Sequence, residues 1–327
     1  GNVYLNSHNI AFGFDDADAT FSGTISGSGI IKKYGTGVQL FSGANTSTGG
    51  AIVYEGTLNL TGDNENLVGT IAVRDRAVLR AGAGDSLGDQ TRVEVNAGGV
   101  FKMDGNERFG SLSGSGTANR DGHELNVGTD DSDTTFSGTM LTSGSLVKSG
   151  TGTMTLSGDD SLAGSATISG GALRLTGNNG GWDATVTVRD GATLRAGQSD
   201  SLGLQTHVVL QAGGTFIMED GEAFGSVSGG GDIETEGHDL GVTHDDDNVF
   251  SGSLKGSGSF YKHGTGTLTF SGDNSAHTGP LVITDGLVDI TDGTFKCSEL
   301  LVGHDAQAAL NISGATLRAT STTRFGR

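Results

Sequence analysis

Three acidic segments recur along the chain, and their carboxylates have a spacing that could ligate a metal ion. They are Asp15, Asp16 and Asp18, then Asp130, Asp131 and Asp133, and finally Asp245 and Asp246 with Asp247 after them. Calcium is the candidate ligand, because this hard cation takes about six to eight oxygen ligands. The chain lacks the Gly-Gly-x-Gly-x-Asp array of calcium-binding β-rolls. The alternative is that each segment forms an exposed turn whose charges keep the protein soluble.

Three histidines recur with the same period. His8, His123 and His238 are each 115 residues apart, which separates them by about five turns of a stacked repeat structure, or roughly 24 Å. They therefore cannot share one metal ion, and we expect each to lie in a turn and to bond to its own loop. His244 is next to Asp245 and could bind a metal only adventitiously.

The residues that catalysis needs are present, but they lack the spacing of a catalytic motif. Gly110–Gly114 and Gly225–Gly229 have the sequence Gly-Ser-x-Ser-Gly, a looser form of the Gly-x-Ser-x-Gly nucleophile turn that is also typical of β-turns and strands. Two arginine–aspartate neighbours recur, as a polysaccharide-cleaving site would require. They are Arg80 with Asp85 and Arg195 with Asp200. Structural ion pairs or solvated edges explain them more simply, so the sequence predicts no enzyme.

Lysine, glycine and tryptophan residues give further local signals. Lys33, Lys148 and Lys262 each precede a Gly-Thr-Gly sequence, which no helical pattern follows, so tight turns are expected rather than phosphate loops. We expect these lysines to protect a sheet edge or to bridge successive turns. Trp182 lies in a polar turn, where an exposed ring could stack on a sugar, although partial burial in a loop is the favoured interpretation.

The sequence around these residues is itself repeated. Phe21, Phe136 and Phe250 begin matching blocks that are 115 and 114 residues apart. We expect a partial block over residues 1–20, full blocks over 21–135 and 136–249, and a partial block over 250–327 that diverges after residue 290. No linker separates the blocks, which predicts one continuous domain over residues 1–327. The chain begins at Gly1 and reaches Arg327 without a polar cap, so we expect an excised fragment of a longer rod.

Composition limits the classes of function. The formal charge of −19 argues against nucleic-acid binding through a basic surface. No apolar stretch is long enough for a membrane helix, so direct membrane insertion by this segment is not expected. The chain has 59 glycines but 1 proline, and 34% apolar residues, which suits a thin core between many tight turns. With 1 cysteine, no internal disulfide can form, which fits a secreted bacterial protein.

Strand signals are short, frequent and separated by Gly, Asn or Asp. Thr153–Leu156 and Thr267–Phe270 alternate polar and apolar residues, so one side of each strand is buried. The period is too long for a propeller blade, and a pair of sandwiches would need a linker. The expected fold is all-β, a parallel β-helix with roughly 20–25 residues in each turn.

The repeated segments resemble the passenger repeats of autotransporters, which are type V secreted proteins. Residues 148–159 and 165–173 carry the pattern Lys-x-Gly-Thr-Gly, an alternating strand, Ser-Gly, and a second strand with Gly-Gly-Ala-Leu. Residues 262–275 give the closest copy, and residues 33–43 a looser one. The resemblance covers about a third of the chain, and the aromatic residue that precedes Thr-Gly in the family pattern is missing.

This resemblance implies a right-handed parallel β-helix that is secreted across the outer membrane and displayed on a Gram-negative cell surface. It further implies an adhesin or self-associating segment for aggregation, biofilm formation or attachment to a host or surface. The expected partners are rods on neighbouring cells, or a host protein or glycan. Two alternatives stay open: a passive stalk that presents a functional domain outside this fragment, and a polysaccharide-cleaving β-helix.

Overall fold

The computed structural model describes residues 1–141, 143–159, 164–303 and 307–326. Contacts within the chain define two compact units, residues 1–163 (unit 1) and residues 164–327 (unit 2). In the described ranges the regular structure is short β-strands joined by turns. No helix with the length and apolar character to cross a membrane occurs among these described residues.

Unit 1 is built from parallel strands that stack turn upon turn. Its strands are β1 (Val3–Tyr4), β2 (Ile10–Phe12), β3 (Ala19–Phe21), β4 (Ile25–Gly27), β5 (Ile31–Lys33), β6 (Val38–Phe41), β7 (Thr46–Ser47), β8 (Ala51–Val53), β9 (Gly56–Leu60), β10 (Gly69–Val73), β11 (Ala77–Ala81), β12 (Thr91–Val95), β13 (Val100–Met103), β14 (Glu107–Phe109), β15 (Ser111–Gly114), β16 (Thr117–Asn119), β17 (Leu125–Val127), β18 (Thr134–Phe136), β19 (Thr139–Leu141), β20 (Leu146–Lys148) and β21 (Thr153–Leu156). One sheet runs β2-β5-β8-β10-β12-β15-β18-β21 and a second runs β3-β6-β9-β11-β13-β16-β19. Shorter sheets run β1-β4-β7 and β14-β17-β20.

Unit 2 repeats this organisation. Its strands are β22 (Ala166–Ile168), β23 (Ala172–Leu175), β24 (Thr185–Val188), β25 (Thr193–Ala196), β26 (His207–Leu210), β27 (Thr215–Met218), β28 (Glu222–Phe224), β29 (Ser226–Gly229), β30 (Asp232–Glu234), β31 (Leu240–Val242), β32 (Asn248–Phe250), β33 (Ser253–Lys255), β34 (Phe260–Lys262), β35 (Thr267–Phe270), β36 (Leu281–Ile283), β37 (Leu287–Ile290), β38 (Thr294–Cys297), β39 (Leu300–Val302), β40 (Ala309–Ile312), β41 (Thr316–Ala319) and β42 (Thr323–Phe325). Its sheets run β22-β24-β26-β29-β32-β35-β37-β40, β23-β25-β27-β30-β33, β28-β31-β34-β36-β39-β42 and β38-β41.

Strand register shows that each unit is a parallel β-helix, as the sequence predicts. Ile71 pairs in parallel with Val93, and Val93 pairs with Leu112 on the next turn. Successive turns therefore contain about 20 residues, at the lower end of the predicted range. That residues 1–327 form one continuous domain stays a prediction.

Alternation along each strand fills the core with stacked side chains. On β12 the buried residues are Thr91, Val93 and Val95, while Arg92 points to solvent. Because register places like positions above one another, the core contains columns of apolar residues. Phe250 and Phe270 pack edge to face in one such column, with ring centroids 6.1 Å apart. The core is therefore thin, as the apolar content predicts, because it is filled by the alternate, inward-pointing side chains of each strand.

Candidate functional site

The lysines of the repeated Lys-x-Gly-Thr-Gly motif are buried and organise the turns that follow them. Lys33 Nζ donates to the main-chain carbonyl oxygens of Tyr34 at 2.6 Å and Gly35 at 2.7 Å, and to that of Glu55 on the next turn at 3.2 Å. Burial lowers the pKa of Lys33, and the nearby Asp16 and Glu55 charges partly oppose this. The predicted bridging role of this lysine is therefore confirmed for unit 1.

The two later copies use their lysines in the same way. Lys148 Nζ donates to the Ser149 carbonyl at 2.6 Å. Lys262 Nζ donates to the carbonyls of His263 and Gly264, both at 2.6 Å. All three motif lysines are at most 2% exposed, so none of them offers a free charge to a partner molecule.

The glycines of the same motif are required by close contact between turns. Gly35 has φ of +66°, and a Cβ there would lie 2.0 Å from the Gly13 carbonyl oxygen. Gly37 would place a Cβ 2.5 Å from the Ala17 carbonyl oxygen. The Gly-Thr-Gly sequence is therefore a tight turn packed on the turn before it, as expected, since no side chain fits there.

The acidic segments bind the backbone of the turn that follows each of them. Asp16 and Asp18 accept hydrogen bonds from the amides of Thr36 and Val38, each at 2.7 Å. In the second and third copies the same 2.7 Å bonds join Asp131 to Thr151, Asp133 to Thr153, Asp245 to Thr265 and Asp247 to Thr267. These aspartates thus complete the hydrogen bonding of the Gly-Thr-Gly turns, a role that a charge-assisted bond makes favourable.

The other aspartates of the predicted calcium sites have separate environments. Asp15 accepts from the Ala17 amide at 3.3 Å within its own turn. Asp246 is exposed, and its carboxylate lies 3.4 Å from His244 Nδ1. No group of three or more His, Cys, Asp or Glu side chains with metal-site geometry occurs among the described residues. Calcium binding at these segments stays a prediction, to be tested by calcium titration.

The buried carboxylate of Asp130 forms an ion pair with the exposed Arg92 that the sequence did not predict. Its Oδ2 accepts from Arg92 Nε at 2.8 Å and from Ser111 Oγ at 3.0 Å. Burial alone would raise the pKa of Asp130, but hydrogen bonds from Ser132, Arg92 and Ser111 outweigh it and lower the pKa. The carboxylate therefore connects the acidic turn to the outer side of the sheet.

In the next block, histidines replace both members of this ion pair, with His244 in the place of Asp130. His207 occupies the place of Arg92, and its two ring nitrogens contact Ser226 Oγ and, at 3.1 Å, Ser228 Oγ. Burial lowers the pKa of His207, and the neighbouring His244 lowers it further. These serines belong to Gly225–Gly229. Ser226 is 4% exposed, so its hydroxyl packs against the imidazole rather than facing a substrate.

The repeated arginines form ion pairs, but with other partners than the sequence indicated. Arg80 Nε contacts Asp104 at 2.5 Å, not Asp85. Arg195 contacts Glu219 at 3.4 Å, and Arg174 from the adjacent turn binds the same carboxylate at 2.8 Å. The partners lie one turn away in space, about 24 residues along the chain, because side chains in a stacked sheet meet across turns.

Two buried glutamates, missed by the sequence analysis, cap a bend in each unit. Glu107 accepts from the Ser86 amide at 3.0 Å, the Ser86 hydroxyl at 2.7 Å and the Leu87 amide at 3.2 Å. Glu222 makes the same three bonds to Ser201 and Leu202. Burial raises the pKa of both carboxyls to about 7, although the hydrogen bonds favour the ionised form. The signal was present, since both bends contain Asp-Ser-Leu.

The tryptophan and the recurring histidines have structural positions. Trp182 is fully buried, and its Nε1 donates to the Gly164 carbonyl at 3.0 Å. The exposed sugar platform is therefore wrong, and the favoured interpretation of partial burial underestimates how far the ring is buried. His8 Nδ1 contacts the Asn6 carbonyl at 2.8 Å. The amides of His123 and His238 close local turns to Arg120 and Thr235, as expected of turn histidines.

An exposed aromatic stack lies beside the first motif lysine. Phe14 and Tyr34 stack with ring centroids 4.8 Å apart, and Tyr34 and Tyr54 stack at 4.6 Å. Burial, and then the charge and hydrogen bond of Tyr54, raise the pKa of Tyr34. Phe14 is 73% exposed and Tyr54 38%, so both ends of the stack face solvent.

Comparison with known proteins assigns the repeats. The passenger-associated-transport-repeat family matches residues 31–60, 146–175 and 260–294, which contain the three motif lysines and their turns. The chain carries the repeats of an autotransporter passenger. The resemblance predicted from the sequence is thereby confirmed.

One curated relative of this passenger segment is an adhesin. The adhesin BmaC autotransporter of Brucella suis biovar 1 (strain 1330) is 37% identical over 97 residues, which is 30% of this chain and 3% of that relative. The match therefore spans a small part of a much longer protein. No solved structure matches the chain. The repeats and the β-helix together indicate a structural or adhesive type of passenger.

Proposed function

We propose that this passenger segment acts as an adhesive surface on Gram-negative cells and mediates contact by self-association between copies on neighbouring cells. The observation that carries the proposal is the match of three repeats to the passenger family, joined to the named adhesin as a relative. The match to this family implies that the segment is secreted to the cell surface. A host protein or glycan is the other partner that we consider.

The chemistry of the β-helix supports a role in contact rather than in catalysis. Motif lysines and aspartates are engaged with backbone groups inside the turns, and Ser226 is packed against His207. A partner molecule would therefore contact the outer surface of the sheets. Contact through such surfaces is polar and wet in large part, so we expect weak binding per pair of molecules.

A passive stalk is the second candidate, and the inward use of the motif residues favours it. Both candidates predict a well-folded β-helix, but they differ in association. Sedimentation velocity of the 327-residue chain over a wide concentration range, with salt screening its charge of −19, separates them. A concentration-dependent shift toward dimers supports adhesion between copies. A strictly monomeric particle, together with failure of cells that display the segment to aggregate, would refute self-association and favour the stalk.

A further inference from the structure

Two tyrosines of unit 1 lie ring against ring on consecutive turns. Tyr34 directly follows β5 and Tyr54 directly follows β8, and these two strands pair in parallel. The main-chain amide of Tyr54 donates to the Lys33 carbonyl at 2.9 Å, so the backbone fixes the two tyrosines side by side. Their ring centroids are 4.6 Å apart, and the ring planes are 8° from parallel.

The orientation of the two rings brings like atoms together. Paired positions of parallel strands point their side chains to the same side of a sheet, so both hydroxyls lie at the same end of the stack. Burial raises the pKa of Tyr34, and the Tyr54 hydroxyl raises it further, as expected of neighbouring phenol oxygens. The carbon atoms next to the hydroxyl, the ortho carbons, are therefore also neighbours. Phe14 stacks on Tyr34 with centroids 4.8 Å apart, but it has no hydroxyl.

The fold does not require aromatic residues at these positions. The equivalent residues of the two later blocks are Thr129, Ser149 and Ser169, then Thr243, His263 and Thr284. The motif lysine before the central position is nevertheless buried in all three copies. The stacked tyrosines of the first block therefore give the turn a property that its packing does not need.

The other side chains that oxidants attack readily are protected by burial. The chain has 4 methionines, 1 tryptophan and 1 cysteine, and oxidation of sulfur-containing side chains follows their exposure. Each of these six residues is at most 1% exposed: Met103, Met140, Met154, Met218, Trp182 and Cys297. Tyr54, in contrast, is 38% exposed. An oxidant in solution therefore reaches the phenol of Tyr54 more easily than any sulfur atom or the indole.

We propose that Tyr34 and Tyr54 form a site of oxidative modification, at which hydrogen peroxide and a haem peroxidase join the two rings as dityrosine. Each phenol loses its hydroxyl hydrogen, as one electron and one proton, and becomes a phenoxyl radical. The two radicals form one carbon–carbon bond between ortho carbons. The hydrogen of each of these carbons leaves as a proton, and each oxygen takes up a proton to restore the phenol. Hydrogen peroxide accepts the two electrons and two protons and becomes two water molecules.

The product is a covalent link between two consecutive turns of unit 1. It joins residues 34 and 54 and so restricts the unfolded chain in the way that a disulfide does. Because the rings are already in contact, coupling within one chain should exceed coupling between chains. The link forms inside a single molecule, so it does not depend on self-association.

Trypsin gives a direct measurement, because both tyrosines lie on one peptide. The first Lys or Arg after Lys33 is Arg74, so digestion of the unfolded product releases residues 34–74 together. This peptide contains no Met, Cys or Trp. After treatment of the full 327-residue chain with peroxide and peroxidase, the peptide should be lighter by two hydrogen atoms and should show dityrosine fluorescence. Coupling between chains would instead join two peptides.

Two phenylalanine variants and the unfolded chain are the controls. Tyr54→Phe keeps the ring but not the phenol, and it should reduce the modified peptide at least about tenfold. Tyr261→Phe, where the ring stacks on His263, should leave the yield unchanged. Oxidation in urea should give much less of the modified peptide, because the stack is lost. The proposal is overturned if the folded chain gives no modified peptide or only joined peptides, if Tyr54→Phe gives as much of it, or if the unfolded chain couples equally well.

Discussion

Glu222 should make the stability of unit 2 depend on pH in a defined direction. The carboxyl is 3% exposed, and burial raises its pKa from 4.5 to about 7. Because the folded state then holds the proton more tightly than the unfolded state, folding is favoured at low pH. The stabilisation is complete below pH 4.5 and is lost as the pH rises to about 7. At 1.36 kcal/mol per pKa unit, the loss is about 3 kcal/mol.

Substitution by glutamine isolates this contribution. Glu222→Gln cannot ionise, so its free energy of unfolding minus that of the unsubstituted chain should rise by about 3 kcal/mol between pH 4.5 and 7. Urea unfolding followed by the fluorescence of Trp182, which also lies in unit 2, measures both proteins across this range. Glu236→Gln, at an exposed turn residue, is the control and should show no such change. A constant difference between the unsubstituted chain and Glu222→Gln across the range would refute the assignment of the proton to Glu222.

Three further predictions test the turns of unit 2. Gly264→Ala would place a Cβ 2.4 Å from the Thr243 carbonyl oxygen, whereas Gly191→Ala has a similar positive φ but open space. We expect Gly264→Ala to lower the free energy of unfolding by at least about 1 kcal/mol more than Gly191→Ala. Equal losses in urea unfolding would contradict the contact. Lys262→Met should lower the free energy of unfolding by about 3 kcal/mol, because two carbonyls lose a charged donor. A loss near zero would show that the buried lysine is not needed for stability. Trp182→Phe should lower the free energy of unfolding by about 2 kcal/mol, because a hydrogen bond and buried volume are lost. The fluorescence of the unsubstituted chain should be that of a buried indole, and emission typical of a solvated ring would exclude the buried position.

Much of the fold could be predicted because it follows from one-dimensional periodicity. The block spacing, the alternation in Thr267–Phe270 and the glycine-rich turns each indicate stacked parallel strands. Register was not available from the sequence. Proximity in sequence therefore predicted Asp85 as the partner of Arg80, whereas the partner in space is Asp104, which comes from the next turn.

The chemistry of individual side chains was harder to predict, since it depends on which atoms of the next turn lie within reach. The aspartates around Asp16 have the composition of a cation site, and only the structure shows their oxygens bound to amides such as that of Thr36. Trp182 occupies a polar sequence but is buried, and the bend around Gly203 and Thr206 packs on its main-chain carbonyl. Polar neighbours in sequence do not report burial when the covering residues come from another turn.

Repetition separates the residues that maintain the β-helix from those free to serve a partner. A motif residue such as Lys262 faces the same carbonyls in every copy, so a change there breaks a turn that is stacked on its neighbours. An outward residue such as Tyr261 points away from the core and stacks on His263, so it can change without cost to the core. Differences between copies at outward positions are therefore where binding specificity can arise. By this reasoning the change from Arg108 to Ala223 and from Thr167 to Val282 carries more functional information than the shared motif, because folding alone keeps the motif constant.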